Sequence, residues 1–183
     1  MSNFSIEVAT SDHISDLARI HVASKKEAYK HIVDNDFLAS KTQSEYENKW
    51  NSWLSEEEVE VAVLSIDDTP QGFISYGRMQ TPPPGTSKIR PVYSSEIFAI
   101  HVHPDYWRQG CGIKLLSHAT DMLAEKKHKS LCLWVLKDNK NAIGFYDHLN
   151  GQRLGKRDVE VGPNKVKEVC YGWRDMSVIA SGR

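Results

Sequence analysis

The segment Pro104-Asp105-Tyr106-Trp107-Arg108-Gln109-Gly110-Cys111-Gly112 concentrates the residues whose types and spacing can do chemistry. Two glycines one residue apart stand where a loop runs into a strongly amphipathic stretch. Glycine permits positive φ and lets a ligand approach the backbone closely. The first N–H groups of a helix lack intrahelical partners, and the helix dipole adds partial positive charge there. Together these suit a phosphate or pyrophosphate, and Arg108 can add a formal charge. The spacing alone serves equally well as a plain glycine-rich entry to a helix. Two better-defined phosphate loops do not fit. The P-loop needs Gly-Lys-Ser/Thr after its spacer, but Lys114 here follows Ile113. The dinucleotide fingerprint needs a third glycine where Leu115 stands and a first glycine close behind the strand, whereas six residues separate His103 from Gly110.

Other residues invite chemical readings. Glu96 lies in an otherwise apolar run, where desolvation raises a carboxyl pKa; a solvent-facing Glu at a strand end is the plainer alternative. His101 and His103 share a strand face, as two metal ligands would, but no third ligand stands nearby in sequence, so packing or pocket lining is preferred. Cys111 at a helix start has a position that can lower a thiol pKa. Asn139 can cap a helix. Tyr46, Trp50 and Trp53 read as core, with one of them available to wall a pocket.

These residues need a scaffold. The chain has 183 residues, 40% of them hydrophobic and 26% charged, which suits one domain with a sizeable core. Lys and Arg number 23 against 24 Asp and Glu, a net charge of -1 that offers nucleic acid or an acidic membrane no long-range attraction. The three cysteines, Cys111, Cys132 and Cys170, are scattered, which argues against a disulfide scaffold or zinc site and for a reducing, cytoplasmic setting. No leader-like segment and no run of about 18 apolar residues is evident.

The coarse order of elements is a strand at Ser5–Ala9, a helix from Ser11 or Asp12 to about Tyr29, and a second helix near Phe37–Ser55. Strands follow at Val59–Ile66 and Gly72–Met79, then a proline-rich loop at Gln80–Pro91 and a strand at Ser95–His103. A strong helix spans about Gly110 to Lys127, with Leu115, Leu116, Ala119, Met122 and Leu123 as its stripe. A strand at Ser130–Leu136, a helix at Asn139–Asn150 and a hairpin of Arg153–Val161 with Lys165–Trp173 complete it. The strand–helix–strand middle makes one parallel pair inside an otherwise antiparallel sheet. The expected fold is a single α/β domain over residues 1–183, its core about 4–175 and residues 176–183 a flexible tail. Its mixed, twisted sheet has about seven strands with helices on both faces. The Pro82–Pro84 loop covers the cleft or meets the second subunit of a homodimer.

The run Glu96-Ile97-Phe98-Ala99-Ile100-His101-Val102-His103-Pro104 followed by WRQGCGIKLL resembles the central motif of the GNAT superfamily of acyl-CoA-dependent N-acyltransferases. The stretch Asn139-Lys140-Asn141-Ala142-Ile143-Gly144-Phe145-Tyr146-Asp147-His148-Leu149 resembles its second signature, and the element order extends the likeness to nearly the whole chain. The resemblance implies a splayed central parallel pair and transfer of acetyl from acetyl-CoA, a co-substrate, to a primary amine by direct attack in a ternary complex, without a metal. It implies Glu96 as base and Tyr146 as acid. For the cofactor it implies main chain at Ile100, His101 and Val102, the turn of Arg108, Gln109, Gly110, Cys111, Gly112 and Ile113, and side chains of Asn139 and Phe145. Cys111, inside the phosphate turn, is then no nucleophile. One departure stands out: the family's usual Gln or Arg at the start of the loop is Trp107. The acceptor is a small-molecule amine or a peptide N-terminus, and a strongly acidic cleft would favour polycations. The alternatives are a non-catalytic acyl-CoA-binding domain and a transferase for a longer acyl donor.

Overall fold

Seven strands pair in the order β1-β2-β3-β4-β5-β7-β6 in the computed structural model, which describes residues 3–85 and 92–181. The strands are β1 (Phe4–Val8), β2 (Val59–Ile66), β3 (Thr69–Arg78), β4 (Ser95–Val102), β5 (Leu131–Leu136), β6 (Gln152–Val161) and β7 (Asn164–Trp173). Only β4 and β5 run parallel; every other neighbour is antiparallel. The helices are α1 (Ile14–Tyr29), α2 (Asn35–Ser40), α3 (Gln43–Trp53), α4 (Cys111–Glu125), α5 (Lys140–His148) and α6 (Ser177–Ser181). This is the mixed single-domain α/β architecture the sequence pattern predicts.

Alternation along β2 divides the core into two layers. Val61 and Val63 point toward Leu17, Ile20, Tyr46 and Trp50 of α1 and α3. Ala62, Leu64 and Ile66 point the other way, into a larger cluster with Leu115, Leu116, Ala119 and Leu123 of α4. A strand buried on both faces carries a continuous apolar run, as β2 does over Val61–Leu64 and β5 over Leu131–Leu136. The β2–β3 hairpin turns on Asp67 and Asp68, both at positive φ (48° and 62°), the twist a two-residue hairpin loop requires.

The structure departs from the sequence reading in two places. The single helix expected near Phe37–Ser55 is two. Asp34 caps α2 through Phe37 N–H (2.8 Å), and Thr42 caps α3 through Glu45 N–H (3.2 Å). The pattern Thr42-x-x-Glu45 carries this signal, a threonine with Glu three residues on. The expected flexible tail is also revised. Met176 and Ile179 are buried in the main cluster and α6 packs on α4, so the core extends past residue 175. Burying two apolar side chains favours a fixed end; residues 182–183 lie outside those described. The part of the proline-rich loop at residues 86–91 lies outside the described residues. On either side of it the loop is pinned to the sheet. Tyr93 is buried with Cys132 and Cys170, Pro84 lies against Gly155, and Trp134 Nε1 donates to Thr81 O at 3.0 Å.

Candidate active site

The site begins with a gap between strands. β4 and β5 pair only at Ser95/Leu131, Glu96/Cys132 and Ile97/Leu133. On its other edge β4 stays paired with β3 as far as Val102, with an irregularity that leaves Phe98 without a register partner. An extra residue bends a strand and increases its twist. Beyond Ile97, β4 therefore diverges from β5 and leaves its β5-facing edge unpaired. Into that gap opens a cavity of about 1020 Å³ that reaches both faces of the sheet.

On the α4 face the wall is a turn and a helix start. Trp107 Nε1 donates to Val102 O at 2.7 Å and ties the loop to the end of β4. That bond accounts for a tryptophan where the family pattern has Gln or Arg: it anchors the loop. Arg108 and Gly110 then take positive φ (61° and 82°), Gly110 serving as the N-cap of α4. The chain thereby turns so that α4 starts with its N–H groups at the cavity, where Arg108, Gly110, Gly112 and Ile113 line the wall. A Cβ on Gly112 would stand 3.5 Å from the Phe145 ring, so the start of α4 lies against α5. Ile100, His101, Val102, Asn139, Phe145 and Tyr146 also line the cavity. Asn139 is the N-cap of α5, its Oδ1 accepting from Ala142 N–H at 3.2 Å.

Two residues of the expected turn keep their side chains away from the cavity. The Gln109 side chain donates to Asp105 O (2.9 Å), and Cys111 is buried in the α4 core; neither lines the cavity. Burial pushes the Cys111 thiol up, against a thiolate role. His103 faces its own turn, with Nδ1 3.6 Å from Asp105. Among the described residues no group of His, Cys, Asp and Glu could hold a metal ion.

The two proposed proton-transfer residues have different surroundings. Tyr146 is 4% exposed, lies on the cavity wall and packs against Phe145, Tyr171 and Trp173. Burial and the nearby Tyr29 hydroxyl hold its pKa above the usual phenol value, so it stays protonated at neutral pH. Glu96 is equally buried but sits behind the wall. Its Oε2 accepts from the N–H groups of Gln80 (3.0 Å) and Thr81 (2.7 Å), while Gln80 itself lines the cavity. Desolvation raises the Glu96 pKa; the bonds to Gln80 and Thr81 and the charge of Arg157 offset part of that rise.

The opposite end of the cavity is built from side chains. His21, Ser24, Lys25, Ala28 and Tyr29 of α1 line it at spacings of three and four, one continuous helix stripe. Trp50, Trp53, His101 and Glu168 complete that end. His101 stacks 4.4 Å from His21 and shares a 3.0 Å hydrogen bond with Ser24 Oγ. Burial drives the His101 pKa down to about 3, so the ring is neutral. Glu168 pairs with Arg157 at 2.7 Å, and that guanidinium lies 4.1 Å above the Trp134 ring. The sequence analysis did not single out Glu168. The periodic 21–24–25–28–29 stripe, polar where a core stripe would be apolar, is the signal that finds the α1 wall.

With this geometry in place, comparison with known proteins identifies the family. A model of the acetyltransferase (GNAT) family matches residues 26–151. The chain belongs to the GNAT acetyltransferases. The uncharacterized N-acetyltransferase YuaI of Bacillus subtilis is 28% identical over 176 residues, 95% of each chain. A 53-residue stretch is 43% identical to the ribosomal protein bS18 alanine N-acetyltransferase of Escherichia coli K12, covering 29% of this chain and 36% of that one. Among solved structures, the PaiA N-acetyltransferase of Thermoplasma acidophilum, in complex with coenzyme A, superposes with a TM-score of 0.69. It is 18% identical, with 91% of this chain and 98% of that chain covered. Its fold is therefore that of this chain. No helix among the described residues is long and apolar enough to cross a membrane.

Proposed function

We propose that this GNAT transferase moves an acetyl group from acetyl-CoA to a primary amine by direct attack. The observation that carries the reading is the cavity through the β4–β5 gap, walled by the turn and start of α4 on one side of the sheet and by α1 and α3 on the other. The α4 side suits the pyrophosphate and pantetheine: positive-φ turns at Arg108 and Gly110, unpaired helix N–H groups, and Asn139 at the start of α5. The α1–α3 side receives the amine. An alkyl ammonium titrates near 10.4 and must lose a proton before it attacks. Glu96 takes that proton through water, its desolvated carboxyl being a better acceptor than a free one. The unpaired edge of β4 offers backbone N–H to the oxyanion. As the C–S bond breaks, Tyr146 gives its proton to the departing thiolate. The three cysteines are free and buried, which fits a cytoplasmic setting. The acceptor is a small-molecule amine or a peptide N-terminus, the latter suggested by the bS18-alanine relative.

A thiol-release assay with acetyl-CoA over a panel of amines and peptides, corrected for hydrolysis, tests this. Amine-dependent release with an acetylated product is expected. Cofactor binding with no turnover on any amine would instead make the chain a binding domain.

A further inference from the structure

The wall of the acceptor end holds a cation without a counter-ion. Lys25 of α1 is largely buried, and among the described residues it forms no ion pair. Its Nζ reaches the Tyr46 hydroxyl at 3.5 Å and the faces of Tyr29 and Tyr46 at 6.0 and 5.7 Å. Both nearby carboxylates are engaged elsewhere: Glu168 with Arg157 (2.7 Å), and Glu45 with Lys49 (2.7 Å) and Lys41 (3.2 Å). A desolvated charge is costly unless paired.

Lys25 also stands at a junction. A second cavity of about 310 Å³ lies beside the first, and Lys25 and Tyr29 line both. Lys26, Lys41 and Lys49 line the second cavity too; the exposed Glu160 is the carboxylate in its wall, and Glu45 pairs with Lys41 and Lys49 from outside it. Lys49 lies 4.6 Å above the Tyr46 ring and Lys41 4.6 Å above that of Phe37, so both ammonium groups are held at this wall. The lysines repel one another: desolvation first, then Lys49 and Lys41, lowers the Lys25 pKa, and only Glu168 and Glu45 oppose this. An anionic group entering between the cavities would supply the missing partner and relieve that repulsion. A polycation would meet the opposite.

We propose that the acceptor is a small amine whose own scaffold carries an anionic group, a carboxylate or a phosphate, held by Lys25 with Lys41 and Lys49 at the rim. This rests on the acetyl-transfer reading above and names its substrate class. The anion docks beside α1 while the amine reaches toward the β4–β5 gap.

Acceptors compared in matched pairs test it: an amino acid against its amide, and O-phosphoethanolamine against ethanolamine. The anionic member of at least one pair is expected to show roughly 10- to 100-fold higher kcat/KM, the range of one charge-assisted hydrogen bond, expressed mainly in KM. Whichever pair responds identifies the anion. Lys25→Met should collapse the ratio within that pair, Lys25→Arg should keep most of it, and Lys25→Glu should invert it. If Lys25→Met does not fold, Lys41→Met and Lys49→Met should each lower the ratio by a smaller factor. Turnover with equal or better use of the neutral members, or a ratio indifferent to Lys25, overturns the proposal while leaving acetyl transfer standing. No turnover with any amine overturns the acetyl-transfer reading, and this one with it.

Discussion

The two ends of the central cavity are made of different material. The α4 end is a turn and a helix start, contributed by one stretch from Val102 to Ile113, with only α5 added. The α1–α3 end gathers His21, Lys25, Tyr29, Trp50, Trp53, His101 and Glu168 from four elements spread over most of the chain. Backbone recognition suits a ligand that never changes, because N–H groups at a helix start persist through most substitutions. Side-chain recognition suits a ligand that differs between relatives, because each wall residue can change without disturbing the turn. The cofactor end thus states the reaction class, and the acceptor end states the substrate.

Tyr146 stands on the wall where the two ends meet, so changing it gives the hardest test of that division. Tyr146→Phe removes one oxygen from a buried ring and leaves the α4 turn untouched. A fall in kcat of about 10²- to 10⁴-fold is expected, with coenzyme A affinity nearly unchanged in a calorimetric titration. Parallel losses in both would mean that the ends are not separable at this residue.

Glu96 comes next in size. The base must be ionised to accept the amine's proton, so activity should rise with pH through the Glu96 pKa, which burial moves above the usual carboxylate range. Glu96→Gln is expected to cost on the order of 10²-fold in kcat and to abolish that acidic limb. A variant that kept the limb would leave Glu96 as an anchor for the Gln80–Thr81 backbone only, the role its two N–H bonds already give it.

What could be read in the sequence follows the same division. The glycine turn and the Asn139 cap depend on neighbours within a few residues, and the parallel pair on one strand–helix–strand unit; each appears in the structure at its expected place. The acceptor end depends on long-range contact. Glu168 meets the wall because β7 pairs with β5 (Leu136 opposite Glu168), a register that no local pattern of β7 announces. Lys25 was legible in part, since its spacing from His21 and Tyr29 already places all three on one helix face. Its lack of a counter-ion was not, because the carboxylates it might have used are claimed by partners on β6 and α2–α3. Trp107 shows the converse: a departure from the family motif in sequence is explained by one long-range bond, to Val102 O.

The smallest expected effect separates two glycines that look alike in sequence. Gly110 has φ +82° with nothing within 4 Å of a Cβ placed on it, so Gly110→Ala meets open space but a disfavoured backbone. The left-handed conformation costs a non-glycine residue roughly 1–2 kcal/mol, which in a chain of this size lowers Tm by about 2–8 °C. Gly112 lies in the first turn of α4, and a Cβ there meets Phe145 at an ordinary 3.5 Å. Gly112→Ala should therefore leave Tm unchanged or raise it slightly, since alanine is the better helix residue. If the pyrophosphate lies against the start of α4, the added methyl stands in its way, and coenzyme A should bind about tenfold more weakly, a cost near 1.4 kcal/mol. Thermal melting and calorimetric titration on the two variants then give opposite signatures, stability lost at Gly110 and affinity lost at Gly112. Full affinity in Gly112→Ala would move the phosphates away from the helix start and onto the Arg108 side of the loop, and the α4 end would no longer be a backbone site.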